Sequence, residues 1–214
     1  MDISYLGHSA FKIKTKTATV VTDPYDPKMV GFSYPKLEAD MVTVSHHHHD
    51  HDCLERVSDY KKVIDGPGEY EVMEVSIIGI SSFHDDKNGS ERGKNTIYVI
   101  EAEGLRIAHL GDLGQKLSQK EIEDLGEIDI LMVPVGGVYT LGPKEAFDVV
   151  QQVEPVLAIP MHFGGEGING EAFAGLLPVD DFLKTSGMAV EKLDKLTVKA
   201  DTLGEAEKII LLSR

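Results

Sequence analysis

The sequence predicts an α/β domain with its strands early and its helices late. Three observations support that class. Short apolar and β-branched runs bounded by Gly, Pro or Asp fill the first two thirds of the chain, helix-period stripes with their own start and stop signals follow residue 118, and every histidine falls at or beside the end of an expected strand.

In order, Ile3 to Leu6, Phe11 to Thr15 and Thr19 to Thr22 read as a meander, separated by the turn-prone Gly7 to Ala10 and Lys16 to Thr17. Asp40 to Ser45 is a further apolar strand that runs directly into a histidine cluster. More strands are expected at Lys62 to Ile64, Tyr70 to Ile80, Thr96 to Ala102, Leu105 to Leu110 and Ile128 to Pro134. Ser118 with Glu121 three residues on is a capping-box pattern that opens a helix over Gln119 to Leu125. Pro143 starts a second helix, whose stripe of Ala146, Phe147, Val149, Val150 and Val153 ends at Glu154-Pro155 before a strand over Val156 to Ile159. A third helix is expected over Val179 to Ser186, stopped by Gly187, and a helix start at Cys53. The tail from Leu193 to Leu212 reads as two short strands around the polar Ala200 to Glu207. With no repeat, low-complexity tract or linker, residues 1–214 are expected to form a single domain.

A chain of 214 residues can bury roughly 70% of its unfolded surface, so neither a disulfide nor a metal is required merely to build a core. The only cysteine, Cys53, excludes an internal disulfide and suits a reducing, cytoplasmic location. There is no secretory signal pattern and no apolar run long enough to span a bilayer. With 36 acidic and 21 basic residues the net charge is −15, which makes nucleic acid an unfavourable partner.

Residues 46 to 52 read His-His-His-His-Asp-His-Asp. In an extended segment alternate side chains face the same way, so His46 and His48 can converge on one ion, and a turn at Asp50-His51 would bring a carboxylate and another imidazole beside them. The helical zinc pattern, with His at i and i+4 and Glu between, is absent. His47 and His49 should then point away from the ion.

This run, His46-x-His48-x-Asp50-His51, resembles the HxHxDH signature of the metallo-β-lactamase superfamily. The other metal motifs follow in order: Ser82-Phe83-His84-Asp85, Leu110-Gly111-Asp112 and Pro160-Met161-His162-Phe163. Leu6-Gly7-His8-Ser9, Asp23-Pro24 and Pro134-Val135-Gly136-Gly137 are similar to the branch that contains L-ascorbate-6-phosphate lactonase. The resemblance covers residue 3 to about residue 165 and implies a four-layered αββα sandwich with a dinuclear site at one edge of its two sheets. It implies that His46, His48 and His84 bind one metal, that Asp50, His51 and His162 bind the other, and that Asp112 bridges them. Nitrogen and oxygen donors of this kind suit zinc first, with manganese or iron as alternatives. The reaction implied is hydrolysis of an ester, lactone, amide or phosphoester bond by a hydroxide shared between two metals, with Asp50 as the residue that manages the proton.

Behind the ligands, His8, Asp23 and His109 are expected to orient an imidazole or donate to a ligand carboxylate. Lys87 and Arg92, in the polar segment after His84, could take an anionic group of a small-molecule substrate. A phosphodiesterase or nuclease of the same fold is one rival, and a non-catalytic metal-binding or ligand-sensing domain is another. A redox diiron protein is disfavoured because His48 stands where such relatives resemble HxExDH. A homo-oligomer stays open.

Overall fold

The computed structural model describes residues 1–204 and 207–214, and these form sixteen strands and four α-helices. The amino-terminal half carries β1 (Asp2–Gly7), β2 (Ala10–Lys14), β3 (Thr19–Thr22), α1 (Pro27–Val30), β4 (Leu37–Glu38), β5 (Met41–Thr43), β6 (Val57–Ser58), β7 (Lys62–Ile64), β8 (Gly68–Val72) and β9 (Val75–Phe83). After these come β10 (Lys94–Ala102), β11 (Leu105–His109), α2 (Gln119–Leu125), β12 (Ile130–Pro134), α3 (Pro143–Val153) and β13 (Leu157–Met161). The chain closes with α4 (Val179–Ser186), β14 (Val190–Leu193), β15 (Leu196–Thr197) and β16 (Lys208–Leu212).

Two sheets face each other. One has the order β15-β1-β2-β3-β5-β7, the other β14-β16-β13-β12-β11-β10-β9-β8. Side chains alternate across each strand, so the period of two sorts residues between layers. Ile130 and Met132 of β12, with Leu157 and Ile159 of β13, join Ile3, Phe11, Ile13, Val20 and Met41 between the sheets. Leu131, Val133 and Ala158 face the opposite way, onto Leu125, Ala146, Val149, Val150 and Phe182 of α2, α3 and α4. Burial on both faces is why β10, β12 and β13 read as continuous apolar runs. The outer face of the first sheet is covered by Leu37, Leu54 and Val57 against Val21 and Val42. That fourth layer is thin, because the α-helix it contributes among the described residues is the four-residue α1.

Direction matters most for the site. β3, β5 and β7 are parallel, and β1 runs with them because it is antiparallel to β2, which is antiparallel to β3. In the second sheet β11, β12 and β13 are parallel, and β9 runs with them through the antiparallel β10. The carboxyl ends of β1, β3, β5, β9, β11 and β13 therefore open toward one edge of the sandwich, where loops can present side chains from a rigid base.

The capping box is present as expected, with the Ser118 hydroxyl accepting from the Glu121 amide and the Glu121 carboxylate accepting from the Ser118 amide. Elsewhere the structure corrects the sequence reading. The single strand expected over Tyr70 to Ile80 is a hairpin, β8 and β9, with Val72 paired to Val75. Met73 and Glu74 form its two-residue turn at φ 52° and 61°, and neither residue advertises such a turn. The helix expected from Cys53 is only a 3₁₀ turn, Leu54–Arg56, ended by the β-branched Val57 that starts β6. Helix α1 was not anticipated, although Asp26 caps it through Lys28 and Gly31 stops it at φ 95°. The tail holds the two short strands expected on either side of the polar stretch, β15 and β16, and β14 precedes them as a strand that was not expected. Part of the polar stretch expected between Ala200 and Glu207 lies outside the described residues. Among the described residues no helix is long and apolar enough to cross a membrane.

Phe182 is fully buried between α4, α3 and the second sheet. Phe182→Ala should cost about 3–5 kcal/mol, as large-to-small core changes do. Urea denaturation checks this, and a loss under about 1 kcal/mol would mean that α4 contributes little to the core.

Candidate metal centre

Seven side chains from four loops meet at that edge. Thr43 ends β5, and the chain then bends through Ser45, His46 and His47 and turns at His49 to His51. This is a bend and a turn rather than the extended segment the alternation argument assumed, yet His46 and His48 still meet, with 3.0 Å between His46 Nε2 and His48 Nδ1. His47 and His49 face outward, where they lie near Asp52 and Asp65. His84 follows β9, Asp112 follows β11, and His162 follows β13.

The Asp112 carboxylate is the hub. Its Oδ2 lies 3.2 Å from His51 Nε2, 3.2 Å from His162 Nε2, 3.3 Å from His84 Nε2 and 3.9 Å from His46 Nε2. The donor atoms of His46, His48 and His84 form one group within 4.8 Å of one another, and those of His8, Asp50, His51 and His162 form a second. A third group, His46, His51 and Asp112, lies between them.

Hydrogen bonds behind these atoms set which nitrogen faces inward. His51 Nδ1 donates to Asp23 Oδ2 at 2.9 Å, which leaves Nε2 toward the centre with no hydrogen-bond partner although it is buried. Asp23 also accepts from the Ser45 amide at 2.8 Å and hydroxyl at 2.6 Å. The Ser45 oxygen in turn accepts from His46 Nδ1 at 2.9 Å, so the His46 lone pair also points inward. Buried imidazole nitrogens and carboxylate oxygens that converge within 4.8 Å of one another are the donor arrangement a cation satisfies.

Electrostatics act in the same direction. Burial would raise the Asp112 carboxyl, but His162 and His51 hold it well below the usual carboxylate range. Burial likewise opposes ionisation of Asp50, which His51 and His8 overcome. Burial pushes His8 down to about 4 and lowers His46, His48 and His109. His51 is the exception: burial alone would lower it, yet Asp112 and Asp50 raise it well above an ordinary imidazole. The Asp50 and Asp112 carboxylates are thus held ionised and the His46 and His48 imidazoles neutral, the protonation states that metal binding requires, whereas His51 has to give up a proton to a cation.

The residues expected to support the ligands divide. His8 Nε2 bonds Asp50 Oδ2 at 3.1 Å, and Asp23 accepts from His51. His109 touches no ligand carboxylate. Its Nδ1 accepts from the Gly111 amide at 3.2 Å and its Nε2 donates to the Ser9 carbonyl at 2.8 Å, so it ties two loops together through their backbones. Lys87 lies away from the centre in an ion pair with Glu91, whereas Arg92 lines the cavity above it.

Sequence reasoning missed Asn95. Its amide donates to Ser82 Oγ and to the Leu110 carbonyl, and its Oδ1 accepts from the Asp112 amide at 3.0 Å. This clamp fixes the Gly111-Asp112 turn, and no local motif marks an asparagine in the preceding strand. Close approach explains two glycines: a Cβ at Gly111, which sits at φ 56°, would lie 2.4 Å from Asn95 Oδ1, and one at Gly136 would lie 2.3 Å from the His162 carbonyl oxygen. His8, Asp23 and His162 themselves hold positive φ, at 55°, 39° and 51°, a strained state that surrounding hydrogen bonds must impose. The His162 amide, for example, donates to the His8 carbonyl at 2.8 Å.

A cavity of about 490 Å³ opens over the centre, lined on one side by His48, Asp50, His84, Asp112 and His162 and on the other by Met29, Tyr139, Ala172 and Phe173.

The Beta-lactamase superfamily domain matches residues 2–162. A UPF0173 metal-dependent hydrolase of Methanopyrus kandleri is 31% identical over 195 residues, covering 77% of this chain and 84% of the relative. The chain belongs to the metallo-β-lactamase superfamily and, within it, to the UPF0173 metal-dependent hydrolase family. A Thermotoga maritima protein of the superfamily, provisionally named a Zn-dependent hydrolase, has a crystal structure that matches with a TM-score of 0.81 and 38% identity over 99% of this chain and 97% of that one. Igni18, a metallo hydrolase of Ignicoccus hospitalis, shares the fold at a TM-score of 0.67 and 18% identity, covering 99% of this chain and 94% of that one.

Gly111→Ala should lower both thermal stability and metal content, because the new methyl must displace Asn95 or Ser45 and with it the Asp112 amide. Melting temperature and elemental analysis read the two effects. Metal content equal to wild type would show that the turn does not set the position of Asp112.

Proposed function

We propose that this chain is a dinuclear-metal-dependent hydrolase that cleaves an ester, lactone, amide or phosphoester bond of a small molecule, with residues 1–214 acting as one catalytic domain. The observation that carries the reading is the pair of donor groups on either side of Asp112. His46, His48 and His84 would hold one ion, Asp50, His51 and His162 the other, and Asp112 both. The all-nitrogen-and-oxygen donor set favours zinc, with manganese or iron as alternatives. Bound there, such ions would supply Lewis-acid chemistry, making a water more acidic and polarising the oxygen of the bond to be cleaved.

The chain's own residues do the rest. His8 and His51 both approach Asp50 through Oδ2, at 3.1 Å and 3.4 Å, which leaves Oδ1 to accept the proton of the attacking water. Asp23 and Ser45 keep His51 and His46 in the tautomers that face the centre. Tyr139 and Phe173 line the cavity with aromatic surface beside the donor groups. Its size suits a small molecule better than a polymer, and the charge of −15 weighs in the same direction. The narrower reading, a lactonase related to the L-ascorbate-6-phosphate enzyme, fits a site that combines hydrolytic donors with the cation of Arg92. The free thiol of Cys53 suits the cytoplasm.

Untagged protein should carry about two ions per chain, as two-metal sites of this kind do, and should hydrolyse at least one of an aryl ester, an aryl phosphodiester and a simple lactone in a metal-dependent manner. Elemental analysis followed by add-back of zinc, manganese and iron measures this. Fewer than one ion per chain, not raised by any of the three, would refute the reading. Asp112→Ala should reduce occupancy of both sites together and lower turnover by more than about 100-fold, in the range expected for loss of a group on which the reaction geometry depends. Full occupancy in that variant would contradict the bridging assignment.

A further inference from the structure

The cavity over the centre contains one feature that hydrolysis by itself does not require. Arg92 lines it and is partly buried, and among the described residues its guanidinium has neither an ion pair nor a hydrogen bond. Its Cζ stands 5.7 Å from the ring centroid of Tyr139, so the cation rests on an aromatic face and its donors stay available. What sets Arg92 apart from the other cations is its place in the cavity beside the donor groups. Lys87 pairs with Glu91 and Arg106 with Glu101. An arginine left unpaired beside the site leaves five donors for something that is not protein.

Its placement is built into the loop. The buried Asp85 carboxylate accepts four backbone amides, from Lys87 and Gly89 at Oδ1 and from Glu91 and Arg92 at Oδ2, between 2.8 and 3.0 Å. The loop closes where the Gly93 amide donates to the Gly89 carbonyl and the His84 amide to the Gly93 carbonyl, at 3.0 and 3.1 Å. One carboxylate therefore ties the backbone of Arg92 to the residue next to His84, so hydrogen bonds fix the point on the loop from which the guanidinium reaches the cavity. Opposite, Met29, Ala172 and Phe173 form an apolar wall.

We propose that Arg92 is the specificity-determining residue of this cavity, binding an anionic oxygen group of the substrate whose apolar body lies against Phe173, Tyr139 and Met29, and that Asp85 is the positioning residue that holds Arg92 there. The proposal rests on the hydrolase reading only in naming the bound molecule a substrate.

The test is binding, independent of turnover. Naphthalene-2-sulfonate and the neutral methyl 2-naphthyl sulfone, both poor metal ligands, are titrated calorimetrically into the purified protein. Wild type should prefer the sulfonate by about tenfold or more, the range of a charge-assisted hydrogen-bonded contact. Arg92→Gln should abolish that preference and leave sulfone affinity unchanged, with Arg92→Lys retaining part of it. Asp85→Ala should reduce the preference selectively, whereas general damage to the cavity would weaken both probes alike. Lys87→Gln should leave it intact. Equal binding of the two probes to wild type, no binding of either, or a preference that survives in Arg92→Gln overturns the proposal. Absence of hydrolysis or of bound metal, with the preference intact in wild type and lost in Arg92→Gln, would count against the hydrolase reading and leave the anion site standing.

Discussion

A single buried carboxylate surrounded by imidazoles is the constraint on which the rest of this molecule depends. Asp112 is almost wholly inaccessible to solvent, and four imidazole nitrogens lie within 3.9 Å of one of its oxygens. Such a charge cannot be left uncompensated in a low-dielectric interior, and crowded imidazoles can compensate it only if each presents the correct nitrogen. Hence the supporting polar groups: Asp23 for His51, Ser45 for His46, Asn95 for the Asp112 amide, and His109 for the turn before it. Remove any of these and the donors remain in the chain but no longer agree on a common point.

The two sheets make that convergence possible. Because β1, β3, β5, β9, β11 and β13 all end at one edge, six loops leave a rigid apolar base in the same direction, and no loop needs to travel far. The local strain at His8, Asp23 and His162 is the other side of this arrangement. Left-handed φ at non-glycine residues is unfavourable by about 1–3 kcal/mol each in strained sites, and the bonds from His162 to His8 and from Asp23 to Thr43 show the surrounding backbone holding them in place. Stability is conceded locally and recovered in the core between the sheets, where Ile3, Phe11, Ile13, Ile77, Ile100 and Ile130 are fully buried.

Charge is distributed unevenly in a way that matters for binding. The chain is strongly acidic overall, yet the acids near the site are either part of the donor groups or engaged with the backbone, as Asp85 is with four amides. Within the cavity the ionised Asp50 and Asp112 lie among the imidazoles and the guanidinium of Arg92 rests on Tyr139, so opposite charges occupy different parts of its lining.

Much of this was legible in the sequence because it is local. The apolar run from Ile130 to Pro134, the capping box at Ser118 and Glu121, the helical stripe from Ala146 to Val153, and the spacing within His46-x-His48-x-Asp50-His51 are each set by a few consecutive residues, and each is found where the sequence places it. The candidate donors could be named for the same reason: clustered histidines at strand ends are a short-range signal. What the tertiary structure alone decided is non-local. The turn at Met73 and Glu74 is imposed by the pairing of β8 with β9 against weak local preference, and His109 was assigned to a ligand when its partners are backbone groups of Ser9 and Gly111. Asn95 and Asp85 carry no motif, because their roles consist in which backbone amides they meet, and that depends on how strands and loops close around them. The same holds for Lys87 and Arg92, two cations of one loop that the sequence cannot rank: one finds Glu91 close by along the chain, and the other finds Tyr139 and the cavity only because β9, β10 and β12 bring their loops to the same edge.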